Sequence, residues 1–344
     1  MPKDPLATRD VGASVRPLTR ARVVDYVARD RPRSPTLSRG TSETVILGMA
    51  GELAALGTAL CWAFTSLWFA AAGRRIGSLP VNLLRMPVAL ACLVAYGAIV
   101  RGHALPLDAD AHTWTWLTIS GLLGFAFGDL CLFRALVLIG PRLGSLVMAS
   151  APIFTALFGY VLLDERLATA DLAGMVLVTA GIAWAVTARA PAGSLTIVEG
   201  PVLARGVGLA VLGAIGQAAG LVTAKYGMGE YDAFAATQVR VIVGVLAFIL
   251  AVSVRRQWGA VLRGLADRRA MTMVAAGGVL GPFLGVGLSL TAAQLTNAGV
   301  AASLMAMQPI LVIPLAVAFA HEKVGLAALG GAAIAVAGVV MLVS

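Results

Sequence analysis

From about residue 45 onward the chain is a series of apolar runs, each close to the ~20 residues an α-helix needs to cross a bilayer. Ten runs can be counted, at about 51–72, 80–100, 115–138, 144–163, 170–188, 206–227, 232–254, 272–295, 299–320 and 325–343. Inside hydrocarbon every backbone N–H and C=O must be paired within the spanning structure, so runs of this length predict helices. Composition agrees. The 344 residues are 59% hydrophobic and 12% charged, where a soluble domain is about 45–50% apolar and about 25% charged. The mean hydropathy is +0.89. The expected fold class is all-α integral membrane, with ten transmembrane helices in the lipid bilayer.

Several function classes fall away. The formal charge of +9 comes from arginines scattered among membrane-length runs, with no basic stripe for nucleic acid. The three lysines are Lys3, Lys225 and Lys323, and no G-x-x-x-x-G-K-[ST] loop exists to cradle ATP. Cys61, Cys92 and Cys131 lie in apolar runs without C-x-x-C spacing and read as small packing residues. His103, His112 and His321 fall in or beside loops without a ligand cluster, so no metal and no cofactor is expected.

Residues 1–44 differ from the rest. They are rich in Arg and Pro and hold nine Lys/Arg against five Asp/Glu, the composition of a disordered basic tail. They lack the apolar core of a signal peptide. Met49 opens "MAGELAALGTALCW", a natural start just before the first span, which leaves open whether residues 1–48 are translated.

The remainder repeats itself. "GLLGFAFGD" from Gly121 aligns with "GVLGPFLGV" from Gly278, and the offset of 157 holds without a gap from residue 121 to 187. Pro152 falls on Pro309, Glu165 on Glu322, Gly174 on Gly331 and Gly181 on Gly338. Two units are expected, at 49–188 and 206–343, each with five spans. Five is odd, so the second copy enters the membrane from the opposite side. Inverted repeats of this kind build many secondary transporters, with the site near the midplane between them.

The segment "FRALVLIGPRLGSLVMASAPIFTALFGYVLLDERLATADLAGMVLVTAGIAW" resembles the C-terminal part of an EamA-type repeat of the drug/metabolite transporter superfamily. The resemblance rests on "RAL" ending the third span, the proline of the fourth, "ER" closing it and the paired glycines of the fifth. "PILVIPLAVAFAHEKVGLAALGGAAIAVAGVV" repeats these features. The resemblance covers residues 49–344. It implies two inverted five-helix repeats around a central cavity, and export of amino acids, other metabolites or drugs across the inner (plasma) membrane. The partners it implies are a small-molecule solute and, with ion coupling, protons. It leaves the solute and the oligomeric state open.

Ionisable residues inside such spans are the first candidates for function. Asp129, near the middle of the third span, reads as a proton or substrate-amine site or as one half of a structural ion pair. Its repeat equivalent is Val286. Arg134 lies five residues on, about 140° past a full turn, so the two do not share a face. It either snorkels to the interface or faces the cavity. Arg85 and Arg240 lie in the second and seventh spans at a local offset of 155. Either can neutralise Asp129 or hold a carboxylate with a bidentate fork. A head at the interface weighs more on Arg85 than on Arg240. Gln217 and Gln308 lie near midspan, where polar residues line solute paths or bond between helices. Trp62 can wall a cavity, and Trp68 is more simply a lipid-facing ring. Pro152 and Pro309 are expected to bend helices beside a cavity. Glu165 and Glu322 are expected to fix the turn from the fourth and ninth spans into the next.

Two other readings compete. A passive facilitator of the same fold differs from a coupled carrier only in being unable to build a gradient. An intramembrane aspartyl protease is suggested by "FGD" at 127–129 and "YD" at 231–232, but Ala126 stands where the first glycine of G-x-G-D belongs, and the YD element comes second. Orientation is contested as well. The resemblance implies cytoplasmic termini, whereas loop Lys and Arg residues favour the opposite side, eleven against seven.

Overall fold

The structure is a computed structural model that describes residues 42–188, 200–311 and 326–343. The tail and Glu322 lie outside the described residues. Every described element is helical.

Helix α1 (Ser42–Ile76) ends on Arg74 and Arg75, cations suited to the negative end of the helix dipole. Gly77, at φ 90°, reverses the chain within one residue into α2 (Ser78–Tyr96). Asp110 caps α3 (Ala111–Gly121), its Oδ1 accepting from the Thr113 N–H at 2.8 Å. Helix α3 passes through a π-helical stretch, Leu122–Asp129, into α4 (Leu130–Met148). Helices α5 (Ala151–Leu163) and α6 (Thr169–Ala188) follow.

The second half retraces this path. After α7 (Gly200–Met228), α8 (Ala233–Val254) and the short α9 (Trp258–Ala266), Asp267 caps α10 (Arg268–Gly278). Asp267 lies 157 residues after Asp110 and accepts from the Ala270 N–H at 3.0 Å. A second π-helical stretch, Val279–Gly285, begins 157 residues after the first. Helices α11 (Val286–Leu295), α12 (Ala298–Met305) and α13 (Leu326–Val343) complete the described chain.

Among the described residues six helical stretches are long and apolar enough to cross a membrane: Met49–Ile76, Ser78–Arg101, Ala111–Ala135, Gly200–Met228, Ala233–Val254 and Arg268–Leu295. The shorter apolar helices are Ala151–Leu163, Thr169–Ala185, Ala298–Leu311 and Leu329–Val343. The chain is therefore a multi-pass membrane protein, helical throughout its described elements.

Two local expectations are corrected. "GPRLG" at 140–144 reads as a break, yet α4 continues through it to Met148. A proline within an apolar helix is tolerated where neighbouring groups pair the freed carbonyl. The chain turns instead at Ala149–Ser150, where the Ser150 N–H bonds the Val147 carbonyl. Pro152 then does not bend a helix from within. It sits at the start of α5, where a missing N–H costs nothing. Pro309 is placed alike, in the helix that resumes at 308 after a turn at 306–307.

Small residues let the helices touch. A Cβ on Gly216 would lie 2.8 Å from the Gly128 Cα, and one on Gly220 would lie 2.9 Å from the Gly124 Cα. Helix α7 and the first π-helical stretch thus meet backbone to backbone, as lipid-embedded helices do when packing must replace the hydrophobic effect. Helices α6 and α13 meet the same way through Gly174, Gly181, Gly331 and Gly338.

Candidate functional site

The glycine contact between α7 and the first π-helical stretch brings Gln217 beside Asp129. Its Nε2 donates to Asp129 Oδ1 at 2.7 Å and to the Gly124 carbonyl at 3.2 Å. Across from it, the Arg85 Nη2 of α2 donates to Asp129 Oδ2 at 2.5 Å. Both carboxylate oxygens are therefore engaged, and Asp129 and Arg85 are buried to 7% and 8% exposure. The Arg85 guanidinium also lies over Phe69 at 5.2 Å and Phe133 at 5.7 Å. Arg85 does not reach for an interface. A charge at this depth is held by a countercharge and by aromatic faces, because lipid supplies neither.

Arg240 of α8 completes the group from the other half of the chain. It is 5% exposed and lies over Phe125 at 5.2 Å. A Cβ on Gly124 would come within 3.1 Å of its Nη2, so the guanidinium occupies the space that Gly124 leaves open. Among the described residues the Arg240 guanidinium makes no hydrogen bond and no contact ion pair; it feels the Asp129 charge at longer range, and its Nε, like that of Arg85, is buried without a hydrogen-bond partner.

The two arginines are related by the repeat. A Cβ on Gly121 would meet the Arg240 carbonyl at 3.1 Å and the Val243 Cβ at 3.1 Å. A Cβ on Gly278, 157 residues on, would meet the Arg85 carbonyl at 2.9 Å and the Val88 Cβ at 2.9 Å. The third helix of each half therefore seats against the second helix of the other in the same register. The symmetry does not extend to the charges. Asp129 pairs with Arg85 within the first half, while the repeat equivalent of Asp129 is Val286, itself buried at 8% exposure.

The remaining candidates lie elsewhere. Arg134 is exposed and separated from the cluster by its helical phase. Gln308 Nε2 donates to the Trp62 carbonyl at 3.1 Å, and the Trp62 indole packs against Gly285, forming another contact between the halves. Among the described residues no group of His, Cys, Asp and Glu is arranged to hold a metal ion.

Glu165 does not fix the turn into the next helix. That turn is closed by the Glu165 N–H on the Gly159 carbonyl and by Asp171 Oδ2 accepting from the Ala168 N–H at 2.9 Å. The Glu165 side chain instead reaches into the second half, where Oε2 accepts from the Ala298 N–H at 2.8 Å and so caps α12. Its Oε1 pairs with Lys225 Nζ at 2.5 Å, and Lys225 also donates to the Thr296 carbonyl at 2.7 Å. Lys225 escapes a reading of the sequence because a lysine at a span's end looks like an interface anchor.

Around this tie the loops 102–110, 164–168, 229–232 and 296–297 gather at one face. Tyr231 donates to Asp108 at 3.0 Å and accepts from Arg101 at 3.2 Å, and Gln294 donates to the Gly229 and Tyr231 carbonyls at 2.6 and 3.2 Å. Burial, then the Asp108 carboxylate, pushes the Tyr231 phenol up to about 12. At the other face Arg75 pairs with Asp267 at 2.8 Å. The Ala270 N–H first, and then Arg75, hold the Asp267 carboxyl below the usual carboxylate range.

A model of the EamA-like transporter family matches the chain twice, over residues 49–187 and 204–344. A solved structure described only as "Crystal structure of protein" shares the fold with a TM-score of 0.62 at 20% identity, covering 88% of this chain and 96% of that one. None of the curated proteins matches. Matched once per repeat across most of its length, the chain belongs to the EamA-like transporter family, of the drug/metabolite transporter superfamily.

Proposed function

We propose that this chain is a secondary active transporter that exports a small metabolite, an amino-acid-like solute or a drug, along a path between its two inverted halves. Ten crossings of the inner (plasma) membrane, with both termini in the cytoplasm, complete the reading. The observation that carries it is the buried Arg85–Asp129–Gln217 group with Arg240 beside it, where α2, the first π-helical stretch, α7 and α8 converge. Polar side chains this deep are expensive in a membrane and are kept where solutes or ions pass. A π-helical stretch ending on the carboxylate supports the same reading, since such departures from regular helix concentrate at functional sites. In this scheme Asp129 is the coupling or substrate group, its charge state exchanged with a proton during the cycle.

The test is efflux. Cells expressing wild type or Asp129→Asn at matched membrane levels are loaded with amino acids and cationic drugs, and solute leaving against a gradient is followed. Uphill efflux by wild type that the folded variant loses is the expected result. Equal efflux from both would make Asp129 structural. Equilibration without uphill movement would replace the carrier with a facilitator.

A further inference from the structure

We infer that Arg240 is a binding site for the anionic group of the transported solute, a small organic carboxylate or similar monoanion, and that the site rejects organic cations. The inference rests on the transport reading above and narrows its substrate class. Its basis is the broken symmetry of the two halves. Arg85 and Arg240 sit in matching registers, each against a glycine of the other half's third helix, and each lies over a phenylalanine. Arg85 has its anion built in, because Asp129 stands opposite it. In the second half the residue equivalent to Asp129 is Val286, and Arg240, which shares Asp129 only at longer range, makes no hydrogen bond among the described residues. A guanidinium carries five donors in a fixed fork and stays charged, so an anion is the partner it lacks. With Asp129 ionised, Arg85, Arg240 and Asp129 together hold one net positive charge. A cation entering there meets repulsion and an anion meets attraction.

The inference is tested on the full-length protein in detergent, by melting in the presence of three matched probes: benzoate, benzamide and benzylammonium. Chloride is the fourth arm. Expected is a saturable rise in melting temperature with benzoate alone, at least roughly tenfold weaker in apparent affinity for Arg240→Gln, as loss of a charge-assisted pair requires. Val286→Asp supplies the missing internal anion and is expected to abolish the benzoate response while the protein elutes as a single folded peak. Should Val286→Asp fail to fold, Arg240→Gln and Arg240→Lys carry the test, Lys keeping the charge but losing the fork. Stabilisation by benzylammonium equal to that by benzoate overturns the inference, as does a benzoate response that survives in Arg240→Gln. Chloride matching benzoate overturns it in favour of an inorganic counterion. Uphill efflux without a benzoate response defeats only this assignment. A benzoate response without uphill efflux defeats the carrier reading and leaves the site standing.

Discussion

Taking away either member of the Arg85–Asp129 pair leaves the other charged, buried and without its contact ion-pair partner. In protein interiors that costs about 3–5 kcal/mol, whereas removing both costs far less. Both side chains here are about one-tenth exposed. Arg85→Gln and Asp129→Asn are therefore each expected to lower the melting temperature strongly, and the double variant to fall short of their sum, with a coupling of about 1–3 kcal/mol in a double-mutant cycle. Additive losses would mean that the two residues do not depend on each other. The sequence singles out Asp129, Arg85, Gln217 and Arg240 one by one, because a lone polar residue in a lipid-length run is conspicuous. It does not say who meets whom. The partnership depends on glycine contacts between helices far apart in the chain, and Gly124, Gly128, Gly216 and Gly220 look alike in sequence to glycines that touch nothing. On sequence alone Arg85 can reach an interface, because the phase of α2, which turns it toward Asp129, is set by packing.

That difference between glycines is the next scale up. In α7, a Cβ added at Gly208 would meet nothing within 4 Å, whereas Gly220 is closed off by Gly124 and by Ser120, whose hydroxyl donates to the Gly220 carbonyl. Gly208→Ala is expected to raise stability by about 0.5–1 kcal/mol through helix propensity alone. Gly220→Val is expected to force α7 off the first π-helical stretch, lower the melting temperature and part Gln217 from Asp129. Melting curves of the two variants check this directly, and equal effects would contradict the close contact. At this scale the helices are legible from the length of the apolar runs, and the repeat from its register of Pro and Gly. The π-helical stretches are not, since no residue type marks where a helix takes on an extra residue per turn. The turn at Ala149–Ser150 is hidden as well, because Gly140 and Pro141 are stronger breakers on paper than anything at the site where the chain bends.

The whole molecule poses a question of faces. If the two halves rock against each other, the ties between them at each face must break in turn. One face is held by Glu165, which caps α12 and pairs with Lys225, and by the Arg101–Asp108–Tyr231 and Gln294 contacts. The other has the Arg75–Asp267 pair, whose side chains are 45% and 24% exposed and so screened by water. The Glu165–Lys225 side chains are 11% and 19% exposed, and their tie is the stronger. Glu165→Gln keeps an oxygen for the Ala298 N–H but loses the attraction to Lys225. A loss of about 1.4 kcal/mol in the closed state raises the population open at that face roughly tenfold. A cysteine placed at the buried Ala302, in a background with Cys61, Cys92 and Cys131 replaced, reports the change. Its labelling by a membrane-impermeant maleimide from that face is expected to rise severalfold in Glu165→Gln and to stay unchanged in Arg75→Gln. Equal labelling in all three backgrounds would show that Glu165 braces the fold without governing which face opens.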